Sequence, residues 1–519
     1  MEYQKKEFRM YRQGKEIQDQ FYLDEDFNVP DAKRDVQRVI LCDGKVEIED
    51  TKRVENYIRV SGKVNFNILY VTDEGETKLT SLEGKLPFEE MVYTEEEPME
   101  NIFIKSSSAE VMVNVIHSRK LNLKATIGIC ISSDGQEEIH VLSDIEDPVS
   151  LHKRNVDKTV LNLYTVKKDT YRIKEEIAIG GTKETIGTLL WSNVMSRKMD
   201  TRISSDEILI QGELLVFCFY ESIDGKIDWI EQIVPYQGKI SCYGVTDSMF
   251  HEVYSDLKDI NLEVRMDEDG EMRAIGIEAT LEMRVMIYEE EEVKILEDLY
   301  SLEKQCVISR EEKKMEQLLM QNHTKCKVCE RLSLPEIKDD ILQICHSSAR
   351  IQIDHTEIRK EGLQAEGTLH VNFLYVKPDD VVPFDVWQGM IPFMCLMESN
   401  ETCEDMTFNL TGTVEQLSIG LLGNDEIEVK AVIAIQSFMK KPVCIDNIET
   451  ISFQPVDLEE QEKLPGIIGY IVKDEDRLWD LAKKYHTTEE SIMQVNQLEK
   501  EELKCGQKIL IFRENVSIL

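Results

Sequence analysis

Gly62-Lys-Val64-Asn-Phe66-Asn-Ile68-Leu-Tyr70 runs from a glycine to a tyrosine with apolar and polar side chains alternating. A period of two marks a half-buried β-strand, because successive side chains point to opposite faces. The unit occurs twice more, as Gly212-Glu-Leu214-Leu-Val216-Phe-Cys218-Phe-Tyr220 and Gly367-Thr-Leu369-His-Val371-Asn-Phe373-Leu-Tyr375. The middle copy is apolar at every position after Glu213. That pattern predicts a strand covered on both faces.

Working outward from these strands, other anchors keep the same register. Val36, Ile186 and Ile341 each lie 26 residues before their glycine, with Pro30, Gly180 and Pro335 six residues earlier still. Lys33, Lys183 and Lys338 follow three residues after those turn residues. After the strand comes an apolar-Pro-aromatic triplet: Leu86-Pro87-Phe88, Val234-Pro235-Tyr236 and Ile391-Pro392-Phe393. A late strand recurs around Ala125, Ala279 and Ala431. The first 455 residues are therefore a threefold repeat with units at 1–150, 151–305 and 306–455, the second the most divergent. Each unit is long enough to bury its own core. Alternating strands and frequent turn signals predict a mainly β fold of tandem β-sandwich-like modules. The segments Asp35 to Leu41, Glu184 to Leu190 and Asp339 to Ile344 are read as one short helix per unit.

The C-terminal residues follow a different pattern. Tyr470-Ile-Val472 opens a strand, and Ile509 and Ile511 alternate in a closing one. Between them, Leu478, Leu481, Ala482 and Tyr485 fall at i, i+3, i+4 and i+7, one face of an amphipathic helix. Thr487 or Thr488 can cap a second helix, with Glu490 and Ser491 in its first turn. A small βααβ module at 467–513 is expected, joined by an acidic linker at 456–466 that ends in Pro465-Gly466.

The formal charge of −39 argues against nucleic acid and anionic membrane surfaces, which need clustered Lys and Arg. It leaves room for a basic protein partner. The N-terminal Met1-Glu-Tyr-Gln-Lys-Lys-Glu lacks the apolar core of a signal peptide. The twelve cysteines are scattered, several within apolar strands such as those holding Cys130 and Cys218. Such spacing suits free thiols in a reducing cytosol. No P-loop, His-Glu-x-x-His or nucleophile-elbow motif is present, so nothing points to an enzyme, a catalytic residue or a cofactor.

The pattern Pro-x-x-Lys-x-Asp-Ile, then the Gly-to-Tyr strand, then apolar-Pro-Phe resembles the SPOCS domain of spore-coat-associated proteins. The last segment resembles a LysM domain, through Tyr470-x-Val472, Leu478-Trp479-x-Leu481-Ala482, Tyr485, Asn496-x-Leu498 and Gly506-Gln-x-Ile509. Three SPOCS domains followed by one LysM are similar to the SipL-like coat-morphogenesis family of spore-forming bacteria. That resemblance implies a non-enzymatic scaffold or adaptor in the mother-cell cytosol, on the outer forespore surface of the coat. Its LysM is expected to dock on the coat's basement-layer morphogenetic ATPase, with other coat proteins as further partners. LysM domains commonly bind N-acetylglucosamine polymers, which makes a glycan-binding protein of the cortex or wall the alternative. Here the first loop reads Glu475-Asp476-Arg477 in place of the family's Gly-Asp-Thr, and Cys505 replaces a Pro. Both departures argue against a sugar groove.

Within the module, Trp479 lies 100° around the helix from Leu478, off the apolar face. An exposed Trp there would anchor a partner. Asp476, Arg477 and Lys483 are candidates for a polar rim around it. Ile467, Ile468 and Tyr470 belong either to the core or to an apolar patch beside Trp479. Asn496 either turns the backbone after the second helix or meets a ligand, as the resemblance implies. Cys326-Lys-Val-Cys329 has one half of a zinc-site spacing but no second pair, so two strand cysteines pointing apart are expected and no metal. The acidic runs Glu95 to Glu97 and Glu289 to Glu292 read as solvated turns. Tyr70, Tyr220 and Tyr375 read as structural, with buried rings and hydroxyls at the rim.

Overall fold

A computed structural model describes residues 2–73, 78–95, 99–335, 340–379, 382–423, 426–455 and 465–513. Lys338 and Asp339, Glu96 and Glu97, and most of the linker at 456–466 lie outside these residues.

The fold is mainly β, and each copy of the repeat folds as two antiparallel sheets. In the first copy, β1 (Glu2–Gln13) and β2 (Ile17–Asn28) both pair with β7 (Lys120–Glu146), which β6 (Asn101–His117) also joins. The second sheet is β3 (Arg38–Val54), β4 (Tyr57–Val71) and β5 (Leu79–Tyr93). In the second copy, β8 (His152–Ala178), β13 (Ala274–Tyr300) and β12 (Phe250–Arg265) form one sheet. The other is β9 (Ile186–Ser204), β10 (Glu207–Ser222) and β11 (Ile227–Ser241). The third copy repeats this with β14 (Lys304–Ser333), β19 (Glu426–Pro455) and β18 (Thr407–Gly423). Its partner sheet is β15 (Gln343–Arg359), β16 (Gly362–Val376) and β17 (Phe384–Glu398). The two sheets of each copy close on a core of inward-facing Val, Ile, Leu and Phe, as alternation requires.

The repeated anchors now have physical causes. The repeated glycine, five residues into β4, β10 and β16, lies directly across from the aromatic of the Pro-aromatic triplet: Gly62 from Phe88, Gly212 from Tyr236, Gly367 from Phe393. The ring lies over the bare backbone, so a Cβ at any of the three would strike it. At Gly62 and Gly367 a Cβ would also strike a backbone oxygen, of Glu47 and of Gln352. At the far end of the strand the tyrosine ring is buried. Its hydroxyl donates to the carbonyl of the residue 36 positions upstream, Arg34 for Tyr70 (2.8 Å) and Glu184 for Tyr220 (3.5 Å).

Two expectations need correction. The residues read as a short helix are a turn followed by a strand. Lys33 N–H donates to Pro30 and Lys183 N–H to Gly180. The following Val39 to Leu41 and Ile186 to Leu190 then enter β3 and β9, while Ile344 enters β15. β-branched residues beside a sheet edge gain more from pleated pairing than from an isolated helical turn. Glu289 to Glu292 are not a turn but the middle of β13, paired with Asn162 back to Thr159 of β8. Glu291 accepts from Asn162 and pairs with Lys6.

The three copies also share cores with one another. Leu69, Phe219 and Leu374, each just before its strand-end tyrosine, meet in one apolar cluster with Trp191, Phe217 and Phe384. Equivalent residues of β7, β13 and β19 meet again: Ile139 with Val293 and Ile445, Leu142 with Leu296 and Ile448, Ile145 with Leu299 and Ile451. The copies are thus arranged about an approximate threefold, and the all-apolar face of β10 is covered by its two siblings. One position breaks the pattern. Asn447 stands where the other copies have Val141 and Ile295. It is 6% exposed, and its Oδ1 accepts from Leu142 N–H at 2.9 Å.

Gly62→Ala and Gly367→Ala are each expected to cost about 1–3 kcal/mol through overpacking and to lower the thermal midpoint. Gly180→Ala, whose added methyl meets no atom within 4 Å, should leave it unchanged in the same melts.

Candidate functional site

The C-terminal module is a two-stranded antiparallel ribbon, β20 (Ile467–Ile471) with β21 (Lys508–Phe512), carrying α1 (Leu478–Lys484) and α2 (Glu489–Asn496). Thr488 caps α2, its Oγ1 accepting from Ser491 N–H at 3.1 Å. Leu478, Leu481, Ala482, Ile492, Ile509 and Ile511 form the small core.

Trp479 lies 100° around the helix from Leu478, at the edge of this core where Tyr300 joins it. It is only 5% exposed. The C-terminal end of β13 and the start of β8 cover it. The indole N–H donates to Asp298 Oδ2 at 2.8 Å. The Tyr300 ring meets the indole edge-on with centroids 4.9 Å apart, and the Arg154 guanidinium lies 5.5 Å from the indole centroid. Lys483, one turn on, donates to both Asp298 oxygens at 2.7 and 2.9 Å. Arg310 reaches the same carboxylate at 2.9 Å. Two further contacts complete the seat: Tyr300 Oη donates to the Thr487 carbonyl at 3.0 Å, and Arg154 pairs with Asp480 at 3.5 Å.

Asp298 is the hub, its side chain 8% exposed. Burial alone would raise its carboxyl pKa. The donors Lys483 and Trp479 outweigh that and leave it below the usual aspartate range. A depressed folded-state pKa stabilises above the unfolded value and is lost as pH falls through the folded one. The seat is therefore held at neutral pH and released in acid.

The other expected site residues separate. Lys483 joins Trp479 at the seat. Asp476 turns inward on its own loop, accepting from Lys473 N–H at 2.7 Å. Arg477 is exposed as the residue before α1, without a side-chain cap. Ile468 and Tyr470 are half-buried against the module core, where Tyr470 packs near Tyr485. Ile467 faces outward with Ile471, Leu510 and Phe512, on the exposed side of the ribbon. It is not part of a patch with Trp479, because residues alternate faces along β20. Asn496 does more than turn the chain. Its amide donates to Ile492 and Leu510 carbonyls and accepts from Leu510 N–H, fastening α2 to β21.

Asp298, Tyr300, Arg154 and Arg310 were not foreseen. One sign lay in the repeat: Tyr300 stands where the other copies have Glu146 and Ser452, a large aromatic with no equivalent in its siblings' cores. Elsewhere, Cys326 is half-buried and donates to the Met394 carbonyl, while Cys329 is exposed. Among the described residues no group of three or more His, Cys, Asp or Glu is placed to hold a metal, and no helix is long and apolar enough to cross a membrane.

Comparison with protein families gives the same division of the chain. The SipL, SPOCS domain family matches residues 35–116, 185–265 and 340–422, and the LysM domain family matches residues 470–512. No curated protein and no solved structure matches significantly. The chain is a multidomain protein of sporulation-type and LysM binding modules. It carries three SPOCS domains of the SipL type and a C-terminal LysM domain.

Trp479→Phe, which keeps a ring but loses the N–H, should cost about 1.5–3 kcal/mol as a hydrogen bond to a charged acceptor. Limited proteolysis should then release the LysM module faster. Wild type should show the same faster release below about pH 4, the ordinary aspartate pKa, and Asp298→Ala should show it already at pH 7.

Proposed function

We propose that the chain is a non-enzymatic adaptor for spore-coat assembly, working in the mother-cell cytosol at the outer forespore surface. In this reading its LysM module docks on the coat's basement-layer ATPase. The three SPOCS units, taken as 1–150, 151–305 and 306–455, form the platform that carries it, and 456–466 joins them to the module at 467–513. Further coat proteins would dock on that platform.

The observation that carries the reading is how the module is mounted. Its Trp479 side is occupied by Asp298 and Tyr300 of the same chain. Its opposite side presents Ile467 (59% exposed), Ile471, Leu510 and Phe512 to solvent. Exposed apolar residues grouped on one small face mark a protein contact. The first loop fits the same use. Glu475 holds a left-handed backbone at φ 71°, the conformation that glycine adopts at no cost. Its charged, exposed side chain stands where a sugar groove needs open backbone. An overall charge of −39 would steer the protein toward a basic patch on its partner.

The full chain, offered both lysate of sporulating cells and purified peptidoglycan, tests this. Capture of a coat ATPase should fall at least about tenfold, or 1.4 kcal/mol, in Ile467→Asp and in Leu510→Asp, while Trp479→Ala retains it. Loss in Trp479→Ala alone would place the docking face at the seat. Retention on peptidoglycan with no ATPase captured would establish the glycan-binding alternative.

A further inference from the structure

Away from the LysM, the second and third copies form a half-open cleft of about 350 Å³. It lies where β9 and β12 meet β14, β18 and β19. The volume falls in the range of small-molecule sites. Its floor is Glu252, whose side chain is nine-tenths buried. Glu252 Oε1 accepts from the Tyr254 hydroxyl at 3.1 Å and the Asn409 side chain also approaches the carboxylate, while Oε2 makes no hydrogen bond of normal geometry among the described residues. A buried carboxylate oxygen without a donor is costly and calls for one.

The walls narrow the chemistry. Asp200 is a second carboxylate, His251 and His323 add imidazoles, and no Lys or Arg lines the space. Burial pushes the Glu252 carboxyl pKa up; the fields of Lys440 and Lys105 oppose this, yet each lysine is already paired, with Glu316 and Glu16 respectively. Two carboxylates with no Lys or Arg beside them, and a His251 whose pKa burial lowers, favour a cation over a phosphate or carboxylate ligand. With no cluster of three metal ligands among the described residues, that cation is organic. Amide and hydroxyl groups of Asn322, Asn409 and Thr411 add hydrogen-bonding positions, and Phe250 and Phe438 add apolar wall.

We propose that this cleft binds a small primary amine carrying further hydroxyl or amino groups, its ammonium donating to Glu252 Oε2. Ammonium supplies three donors, one for the carboxylate and two for the amide and hydroxyl oxygens around it. Such a ligand would touch both copies. It would strengthen a junction now crossed by His251 N–H donating to Gln321 at 3.3 Å and Gln436 donating to the Met199 carbonyl at 3.4 Å.

Calorimetry and thermal melts of the full chain test this with putrescine and glucosamine as probes and glucose as the uncharged counterpart. At least one amine should bind and raise the midpoint as binding to the native state requires, and glucose should not. Glu252→Gln keeps the shape but drops the charge, and should weaken amine binding at least tenfold. Thr411→Tyr leaves Glu252 intact but fills the cleft, and should abolish binding even where Glu252→Gln folds poorly. Failure of both amines to bind at millimolar concentration, equal binding of glucose, or unchanged affinity in Thr411→Tyr would each overturn the proposal.

Discussion

A strand with apolar side chains on both faces cannot be exposed on either, and the middle copy of this protein contains such a strand. Leu215, Phe217 and Phe219 of β10 point away from the core that Leu214, Val216 and Cys218 fill. Burying both faces requires a second layer, and the structure supplies it from the two sibling copies. The same demand operates along β7, β13 and β19, whose outward Ile, Leu and Val residues have no solvent-compatible surroundings except one another. The threefold assembly follows from that demand. Three sandwiches that each close a core of their own are drawn together by what their cores leave over.

The LysM module is fixed by a different interaction. Its own core is small, and the face that carries Trp479 is completed only by the end of β13. There Asp298 accepts from an indole, an ammonium and a guanidinium at once. A carboxylate with that many donors resists burial well, since each donor offsets part of the lost hydration. The apolar part of the contact, Tyr300 against Trp479 with Arg154 beside it, excludes water from the same spot. Seating the module this way turns one side inward and sets the other side outward as the surface a partner can reach.

Most of the architecture was legible in the sequence because it rests on local signals. The period of two, the Gly-aromatic cross-strand pair and the buried strand-end tyrosine each repeat three times, and a signal that repeats is hard to mistake. The helix read at Asp35 to Leu41 failed because turn chemistry at Pro30 looks like a helix start until a neighbouring strand is present to pair with. The acidic run Glu289 to Glu292 failed for a related reason: β13 is long, and its middle rows leave room for charged residues at the surface. The site was less legible. Trp479, expected as an exposed anchor for a partner, is instead 5% exposed and anchors the module within its own chain. What it anchors to lies 181 residues earlier in the chain. No local pattern reports a contact at that separation, and only Tyr300, out of keeping with its repeat equivalents, hinted at it.

Three similar parts about a common axis raise a problem of identity. Surfaces that fit a sibling copy would also fit the corresponding copy of another molecule, and a chain built this way is open to exchange between molecules while it folds. Asn447 distinguishes the parts. At a place where the other copies present Val141 and Ile295, it brings an amide that must find the Leu142 N–H. An arrangement that puts another strand there would bury that amide unmet. The residue acts as a key cut for one lock, making the order of assembly around the axis a property of the sequence and not of chance encounter.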